Sequence, residues 1–400
     1  MIAMKRLMQT LVFAVVMLCQ QEKAAMVLEP ANNAQGVVLM GKGMGALQEQ
    51  TDWYKDSRYV QILAQSAAEK GFRYQNVEWH KKNDPAGYFA GLHPHERIDG
   101  AKKFAIFLLD TAYEMKKPND LPIVLIGHSL GGQLWRCACN LIDPANKDLG
   151  SKETLAEELR NFIKNLIKNG PNSFQCNKGE LLLLRSWQGP EKIVEPSVKM
   201  YSAQELEHLL DFVKEEVTQR YLAEIEQTWR EAFAEIQAYK EKLFGYLPIH
   251  KNLKIRLITV GTPNDIGVFA YNKNVIQGYF NYYSNGDFVA PLIGTRKVPL
   301  QETIANISVH FEVQTDVHVP AIDQTFEPPK AEIHPGHLDL LGNEEMAYWL
   351  LKFPEELKIP VNAILGHEIK ISYSMDPTKP PKILDENEEK NKRNKWCLIL

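Results

Sequence analysis

Residues 121–140 read LPIVLIGHSLGGQLWRCACN, and this stretch decides the fold. Residues 123–126 form a short apolar run rich in β-branched side chains, which predicts a strand buried on both faces, as in a parallel sheet. Gly127-His128-Ser129-Leu130-Gly131 follows at once, and the residues after it have helical spacing. A strand, a Gly-x-Ser-x-Gly turn and a helix together predict a strained turn that exposes the hydroxyl of Ser129 as a nucleophile.

The glycines of this turn have a steric reason, because side chains at Gly127 or Gly131 would collide with the neighbouring strand and helix. GHSLGG after VLI resembles the nucleophile elbow of the α/β-hydrolases, of lipases and esterases in particular. In such an elbow the backbone N–H of Leu130 is one oxyanion donor. His128 belongs to the elbow and is not expected to be the base, because it points away from the serine. The alternative interpretation is a glycine-rich turn with an incidental serine.

The composition gives no signature of nucleic-acid binding or of a disulfide framework. The chain has 400 residues, 44% of them hydrophobic, with a formal net charge of −4. This supports a sizeable core, in one α/β domain with a large insertion or in two domains, and no nucleic-acid partner. The five cysteines are scattered without zinc spacing. The resemblance to α/β-hydrolases implies neither a metal nor an organic cofactor. The sequence makes no prediction of oligomeric state.

Residues 36–40 predict another buried strand, which ends in the glycine-rich segment GKGMG at residues 41–45. In the α/β-hydrolases the corresponding strand usually ends in His-Gly-x-Gly, and residue x supplies the second oxyanion N–H. Here Met40 replaces the histidine, and the resemblance makes the N–H of Lys42 the candidate donor. A phosphate-binding loop is the competing interpretation, but the Lys-Ser/Thr ending of that motif is absent. The alternation of strands and helices predicts a doubly wound, mostly parallel sheet.

The acid and the base of a catalytic triad are predicted from chain order, which is Ser, Asp, His in this fold. Asp287 follows a predicted strand in a turn that resembles the lipase pattern N-x-D-x-V-P, although it also fits a turn residue that caps its own loop. His337 lies in GHLDLL before a predicted helix, which resembles the end of the hydrolase domain. The alternatives are Asp265 for the acid and His334 or His318 for the base.

The chain is predicted to have four parts: a signal-like segment at 1–26, a hydrolase core at 27–142 and 249–358, an insertion at 143–248, and a C-terminal extension at 359–400. One apolar stripe runs through the insertion from Leu206 to Leu243. We expect this stripe to pack on the hydrolase body. Because lids of this fold are commonly inserted between the elbow helix and the next strand, the resemblance implies a helical cap that shapes the acyl pocket.

Both ends of the chain contain targeting-like patterns. Lys5 and Arg6 precede a short apolar run, as in a secretory signal, but no A-x-A cleavage site follows, so an uncleaved anchor or a different start remains an alternative. Cys397-Leu398-Ile399-Leu400 matches the C-a-a-X pattern with the leucine ending of geranylgeranylated proteins, and basic residues lie just upstream.

These features together suggest a function and a location. The chain resembles lipases and phospholipases, which implies cleavage of carboxylic esters of lipid-like substrates by an acyl-enzyme mechanism. The alternatives are a soluble carboxylesterase, thioesterase or acyltransferase, and a catalytically silent membrane-tethered binding module. The chain also resembles bacterial effectors delivered into host cells. We therefore expect it to be secreted or translocated from a bacterium and then bound to a membrane surface through Cys397, or to be anchored in the cell envelope by its N-terminal segment.

Overall fold

The structure of the protein is a computed structural model. It describes residues 34–43, 57–79, 94–115, 122–151, 173–176, 199–202, 218–264, 267–287, 290, 296–314, 330–336, 339–374, 376 and 379–384.

Short apolar runs form the central strands of the main sheet, and more polar segments form its edges. The strands of this sheet are β1 (Gly36–Gly41), β2 (Phe72–Val77), β3 (Pro122–His128), β6 (Lys254–Val260), β7 (Ile276–Tyr283), β8 (Ile304–Gln314), β9 (Lys330–Ile333), β10 (Glu368–Tyr373) and β11 (Lys382–Leu384). A separate two-stranded antiparallel sheet is made of β4 (Ser173–Cys176) and β5 (Lys199–Ser202).

The main sheet has the order β11-β10-β8-β7-β6-β3-β1-β2, and β9 pairs with β8. All pairings are parallel except those of β9 and β11. The parallel strands therefore end at one edge of the sheet, the carboxyl edge, and start at the other, the amino edge. The chain passes from β1 to β2 on one side and then crosses to β3 on the other side of β1. This reversal makes the sheet doubly wound. This arrangement is an α/β-hydrolase fold, as the sequence predicted.

Helices cover both faces of the sheet, since parallel strands that are buried on both sides need a layer on each. The helices are α1 (Arg58–Glu69), α2 (Pro94–Glu114), α3 (Leu130–Ile142), α4 (Thr218–Phe244), α5 (Ile249–Asn252), α6 (Asp339–Gly342) and α7 (Glu344–Leu350). One hydrophobic cluster joins α2, α3 and α4 to the sheet, and the second joins α1 and α7 to the opposite face.

The described part of the predicted insertion belongs to the helical layer. Helix α4 packs on α2 and α3, and its apolar stripe is buried in the first cluster at Ile225, Trp229 and Ile236. The indole N–H of Trp229 donates to the backbone carbonyl of Lys147 at 3.1 Å. The described part of the stripe, from Ile225 onward, thus packs on the sheet and its helices, as expected, while residues 206–217 lie outside the described part of the chain. A role for the insertion in shaping an acyl pocket stays a prediction.

The sheet continues beyond residue 358, where the sequence placed the end of the core. Strand β10 pairs in parallel with β8 from Glu368↔Asn306 to Tyr373↔Phe311, and β11 adds an antiparallel edge. The sequence EIKISY alternates polar and apolar residues, which is the pattern of a half-buried strand, but it lies beyond the end of the predicted core. Its position in the sheet comes from pairing with β8, which is about 60 residues earlier.

The terminal patterns fall outside the described part of the chain. Residues 1–26, with the signal-like run, and Cys397 with its upstream basic residues are not among the described positions. Within the described residues, the structure contains no helix with the length and apolarity needed to cross a bilayer.

Candidate active site

The turn after β3 holds Ser129 in a strained backbone conformation. Ser129 has φ of 52° and ψ of −131°, and it is the N-terminal cap of α3. Residues other than glycine rarely adopt such a positive φ, which costs about 1–3 kcal/mol of conformational free energy. The backbone N–H of Ser129 donates to the carbonyl of Val260 at 3.0 Å, which ties the turn to the end of β6. The fold therefore stores strain at one serine, at the carboxyl edge of its central strands.

The glycines of the turn occupy positions that no side chain could share. A Cβ at Gly127 would lie 2.4 Å from the Cα of Gly132, so strand and helix touch there. A Cβ at Gly131 would lie 2.2 Å from the carbonyl oxygen of Gly41. The N-terminus of α3 thus approaches the end of β1 closely, and the first residue of that helix, Leu130, is fully buried. His128, the last residue of β3, is also buried, with 4% of its surface exposed.

The glycine-rich segment after β1 lies directly against the serine. A Cβ at Gly43 would be 2.6 Å from the Cβ of Ser129 and 3.0 Å from its hydroxyl oxygen. The backbone carbonyl of Lys42 accepts a hydrogen bond from the indole N–H of Trp79 at 3.1 Å, which fixes the peptide between residues 42 and 43. Burial lowers the pKa of the Lys42 ammonium, and the nearby carboxylate of Glu78 opposes this shift. The segment that the sequence assigned to the oxyanion hole is therefore next to the serine hydroxyl.

The loop after β7 contains Asp287, which is 1% exposed. Its carboxylate oxygen Oδ1 accepts the backbone N–H of Ala290 at 3.1 Å, and its own N–H donates to the carbonyl of Ser284 at 3.2 Å. The side chain of Arg296 donates from Nε to the backbone carbonyl of Asp287 at 2.6 Å. The aspartate is therefore held on both sides in a buried turn, while its reserve, Asp265, lies outside the described residues.

The loop that leads to His337 packs against this aspartate loop. A Cβ at Gly286 would lie 2.4 Å from the backbone carbonyl oxygen of His334 and 2.8 Å from that of Pro335. The backbone of residues 334 and 335 is therefore in close contact with the position immediately before Asp287. His337 itself, like His318, lies outside the described residues. The structure brings together the chain segments of the predicted acid and base, and the assignment of His337 stays a prediction.

His334, the remaining candidate base, is on the surface of this loop. Its ring contacts the ring of His310, with 4.5 Å between centroids. His310 is 4% exposed on β8, and its Nε2 lies 3.4 Å from the hydroxyl oxygen of Ser308. The sequence did not single out His310, because a lone histidine within a strand pattern carries no signal of its neighbours.

Two buried asparagines hold the segment that contacts the aspartate loop through hydrogen bonds. Asn306 accepts the N–H of Val298 at 3.0 Å and donates to the carbonyl of Val298 at 2.7 Å. Asn281 donates to the backbone carbonyl of Arg296 at 2.9 Å and to the side-chain oxygen of Asn306 at 2.9 Å. These bonds fix residues 296–298, and Arg296 in turn holds Asp287. No sequence motif predicts this support.

The end of β6 is held against the elbow helix by a buried arginine. Arg136 is 1% exposed, and it donates to the side-chain oxygen of Asn264 at 2.5 Å and to the carbonyl of Pro263 at 2.7 Å. Among the described residues, no carboxylate lies within ion-pair distance of this guanidinium. Buried charges are costly without partners, so its hydrogen bonds to residues 263–264 are its main compensation.

The described residues contain no group of histidine, cysteine, aspartate or glutamate side chains that would fit a metal ion. Cys137 and Cys139 are free thiols inside α3, and burial raises the pKa of both. Burial therefore keeps these thiols protonated at neutral pH, and neither fits a nucleophile.

No protein-family model and no curated protein matches the sequence. A thermostable carboxyl esterase from Bacillus coagulans is similar in structure, with 12% identity, 93% of this chain and 91% of that chain covered, and a TM-score of 0.29. A peroxisomal alpha-beta-hydrolase from Saccharomyces cerevisiae has 14% identity and a TM-score of 0.28, and the match covers 91% of this chain and 84% of that chain. The rice cell wall degrading esterase LipA from Xanthomonas oryzae has 11% identity and a TM-score of 0.23, and the match covers 60% of this chain and 69% of that chain. At these identities and TM-scores the likeness carries no conclusion about activity.

Proposed function

We propose that the protein is a serine hydrolase that cleaves carboxylic esters of lipid-like substrates. Ser129 is the nucleophile, His337 the general base and Asp287 the residue that orients the imidazole. The backbone N–H groups of Leu130 and Lys42 stabilise the oxyanion. The observation that carries this proposal is the strained backbone of Ser129, with the glycine-rich segment 41–43 packed against its hydroxyl.

The proposed reaction has two steps. In the first, Oγ of Ser129 attacks the ester carbonyl carbon while His337 accepts the hydroxyl proton and passes it to the departing alcohol, so that an acyl-enzyme forms. In the second, water gives its proton to the same imidazole and attacks the acyl carbon, which releases the acid and restores the serine. Each oxyanion donor contributes about 3 kcal/mol of transition-state stabilisation.

Labelling with a serine-directed fluorophosphonate tests the nucleophile. We expect the wild-type protein to be labelled and Ser129→Ala to remain unlabelled, with an unchanged melting temperature. Ser57→Ala is the control, because Ser57 precedes α1, lies outside the elbow and makes no side-chain capping hydrogen bond, so it should leave labelling intact. A wild-type protein that resists several probes would favour the binding-module alternative, and equal labelling of Ser129→Ala would contradict the elbow assignment.

The lipid-like substrate class rests on the resemblance to lipases and on the tail pattern at Cys397. A series of acyl esters of increasing chain length, presented as monomers and in liposomes, tests it. We expect activity to rise with chain length and with presentation in liposomes. Activity restricted to short soluble esters would support the carboxylesterase alternative.

We further propose that the chain associates with membranes after secretion or translocation from a bacterium. Geranylgeranylation of Cys397 would supply one anchor, and the basic residues upstream would add attraction to an anionic leaflet. Anchoring in the cell envelope by the segment at 1–26 is the alternative, and the two are separated by the substitution described in the Discussion.

A further inference from the structure

A groove of about 380 Å³ opens at the amino edge of the sheet. Its floor is made by the first residues of β3, β6 and β7, and its walls by the end of α1 and by residues 351–365. Val124, on β3 in the floor, precedes Ser129 by five residues. At about 3.3 Å per residue, the two Cα atoms are about 16 Å apart along the strand direction. The groove is therefore separate from the candidate active site at the carboxyl edge.

Apolar side chains line the inside of the groove. They include Phe72, Val124, Ile258, Phe280, Leu351 and Leu365. Val124 is 7% exposed and Phe280 is 2% exposed, so this apolar surface is recessed. A flat membrane surface could not reach it, whereas a single flexible chain could enter.

The rim of the groove is positively charged. Lys70, Lys254 and Arg256 lie around it with one acid, Glu355. Arg256 forms an ion pair with Glu355 and lies over the ring of Phe280, 5.5 Å from its centroid. Lys70 forms no ion pair with any residue that the structure describes. The excess of cations beside an apolar interior favours an anionic group at the rim.

A glycine keeps the groove open. Gly278 on β7 lines it, and within the part of the chain that the structure describes, the one atom within 4 Å of a Cβ added there is Cε2 of Phe280, at 3.7 Å. That distance is an ordinary van der Waals contact, so the backbone would accept a side chain, which would then project into the groove. Position 278 therefore offers a way to fill the groove without disturbing the sheet.

We propose that this groove binds a medium-chain fatty acid, with its alkyl chain against Val124 and Phe280 and its carboxylate at the rim that Lys70 and Arg256 line. The volume corresponds to about a dozen groups the size of a water molecule, at about 30 Å³ each. This suits one chain of about ten carbons. Arg256 has further N–H donors beyond its bond to Glu355, and guanidinium groups bind carboxylates in a bidentate manner. The proposal does not depend on catalysis by Ser129.

Titration of decanoate into the Ser129→Ala protein by calorimetry, below the micelle concentration, tests the proposal without turnover. We expect saturable binding to one site, weakened at least tenfold by Gly278→Leu and at least tenfold by Lys70→Gln combined with Arg256→Gln. Decanol, which lacks the carboxylate, should bind more weakly than decanoate. Lys273→Gln, at an exposed lysine outside the groove, is the control and should change nothing.

Three results would overturn the proposal. The first is an absence of saturable decanoate binding. The second is binding that survives both Gly278→Leu and the charge variant, since the ligand would then lie elsewhere, for example at the carboxyl edge. The third is binding to anionic vesicles without binding to decanoate, which would identify a membrane-contact surface. If Gly278→Leu fails to fold, Lys70→Gln alone keeps the test valid, because Lys70 is partly exposed and its substitution breaks no ion pair among the described residues.

Discussion

Arg296 holds Asp287 through the main chain: its Nε donates to the backbone carbonyl of the aspartate at 2.6 Å. The backbone carbonyl of Arg296 is itself held by Asn281 at 2.9 Å. The main chain of the proposed acid is thus positioned by residues on β7 and in the following loop.

Arg296→Ala should lower kcat/KM for an acyl ester by roughly 10- to 100-fold with little change in melting temperature. A hydrogen bond to a charged donor contributes about 1.5–3 kcal/mol, and without it the turn at Asp287 would no longer be held in one position. The neighbouring Lys297→Ala is the control, because Lys297 is exposed and pairs with Glu368 instead. Equal effects of both substitutions would mean that Arg296 acts only through its charge.

Asn306→Leu should destabilise the fold by roughly 3 kcal/mol, measured by urea unfolding. The substitution leaves the N–H and the carbonyl of Val298 buried without partners, at about 1–3 kcal/mol each. Asn274→Leu serves for comparison, since that asparagine is exposed, and it should cost much less. A cost for Asn306→Leu no larger than for Asn274→Leu would show that the loop at 296–298 is held by other contacts.

Gly43→Ala should reduce both ester hydrolysis and fluorophosphonate labelling by at least 100-fold in a folded protein. The added Cβ would lie 2.6 Å from the Cβ of Ser129, so either the serine or segment 41–43 must move. Gly342→Ala is the matched control, because a Cβ there meets no atom within 4 Å from the other described parts of the chain. Full activity in Gly43→Ala would exclude this segment from the oxyanion hole.

Trp229→Ala should lower the free energy of unfolding by about 3–5 kcal/mol, because it leaves a cavity beside Gly150 and Phe233. The side chain is 1% exposed in the core cluster. We expect the preference among acyl chain lengths to stay the same, measured with the ester series at a temperature where the variant is folded. A shifted preference would instead support the insertion as the wall of an acyl pocket.

Cys397→Ser should release a fluorescent fusion of the protein from membranes in a eukaryotic cytosol. Serine is close to cysteine in size, so the change removes mainly the site of thioether attachment. A geranylgeranyltransferase inhibitor should have the same effect, and neutralising the upstream basic residues a partial one, at about 1 kcal/mol per residue. Membrane attachment that is unchanged in Cys397→Ser would point to the segment at 1–26 as the anchor.

The sequence alone was sufficient to predict the α/β fold class and the first core strand, which was expected at residues 36–40 and is observed at Gly36–Gly41. Apolar runs between turn signals are a local property of the sequence. The elbow at Ser129 is local too, since glycines on both sides of a serine have one steric explanation. The end of the core was placed too early, because the six-residue segment of β10 joins the main sheet only by pairing with β8.

The tertiary structure decided what surrounds the serine and the aspartate. Gly43 approaches Ser129 from a strand that ends almost ninety residues earlier, and Arg136 meets Asn264 across 128 residues of chain. Asn306 supports Val298 from the next strand, and the groove at the amino edge is assembled from five separate segments. Periodicity and turn sterics act between residues that are close in sequence, so they specify elements. Buried hydrogen bonds and cavities form between residues that only folding brings together, and no single segment of sequence encodes them.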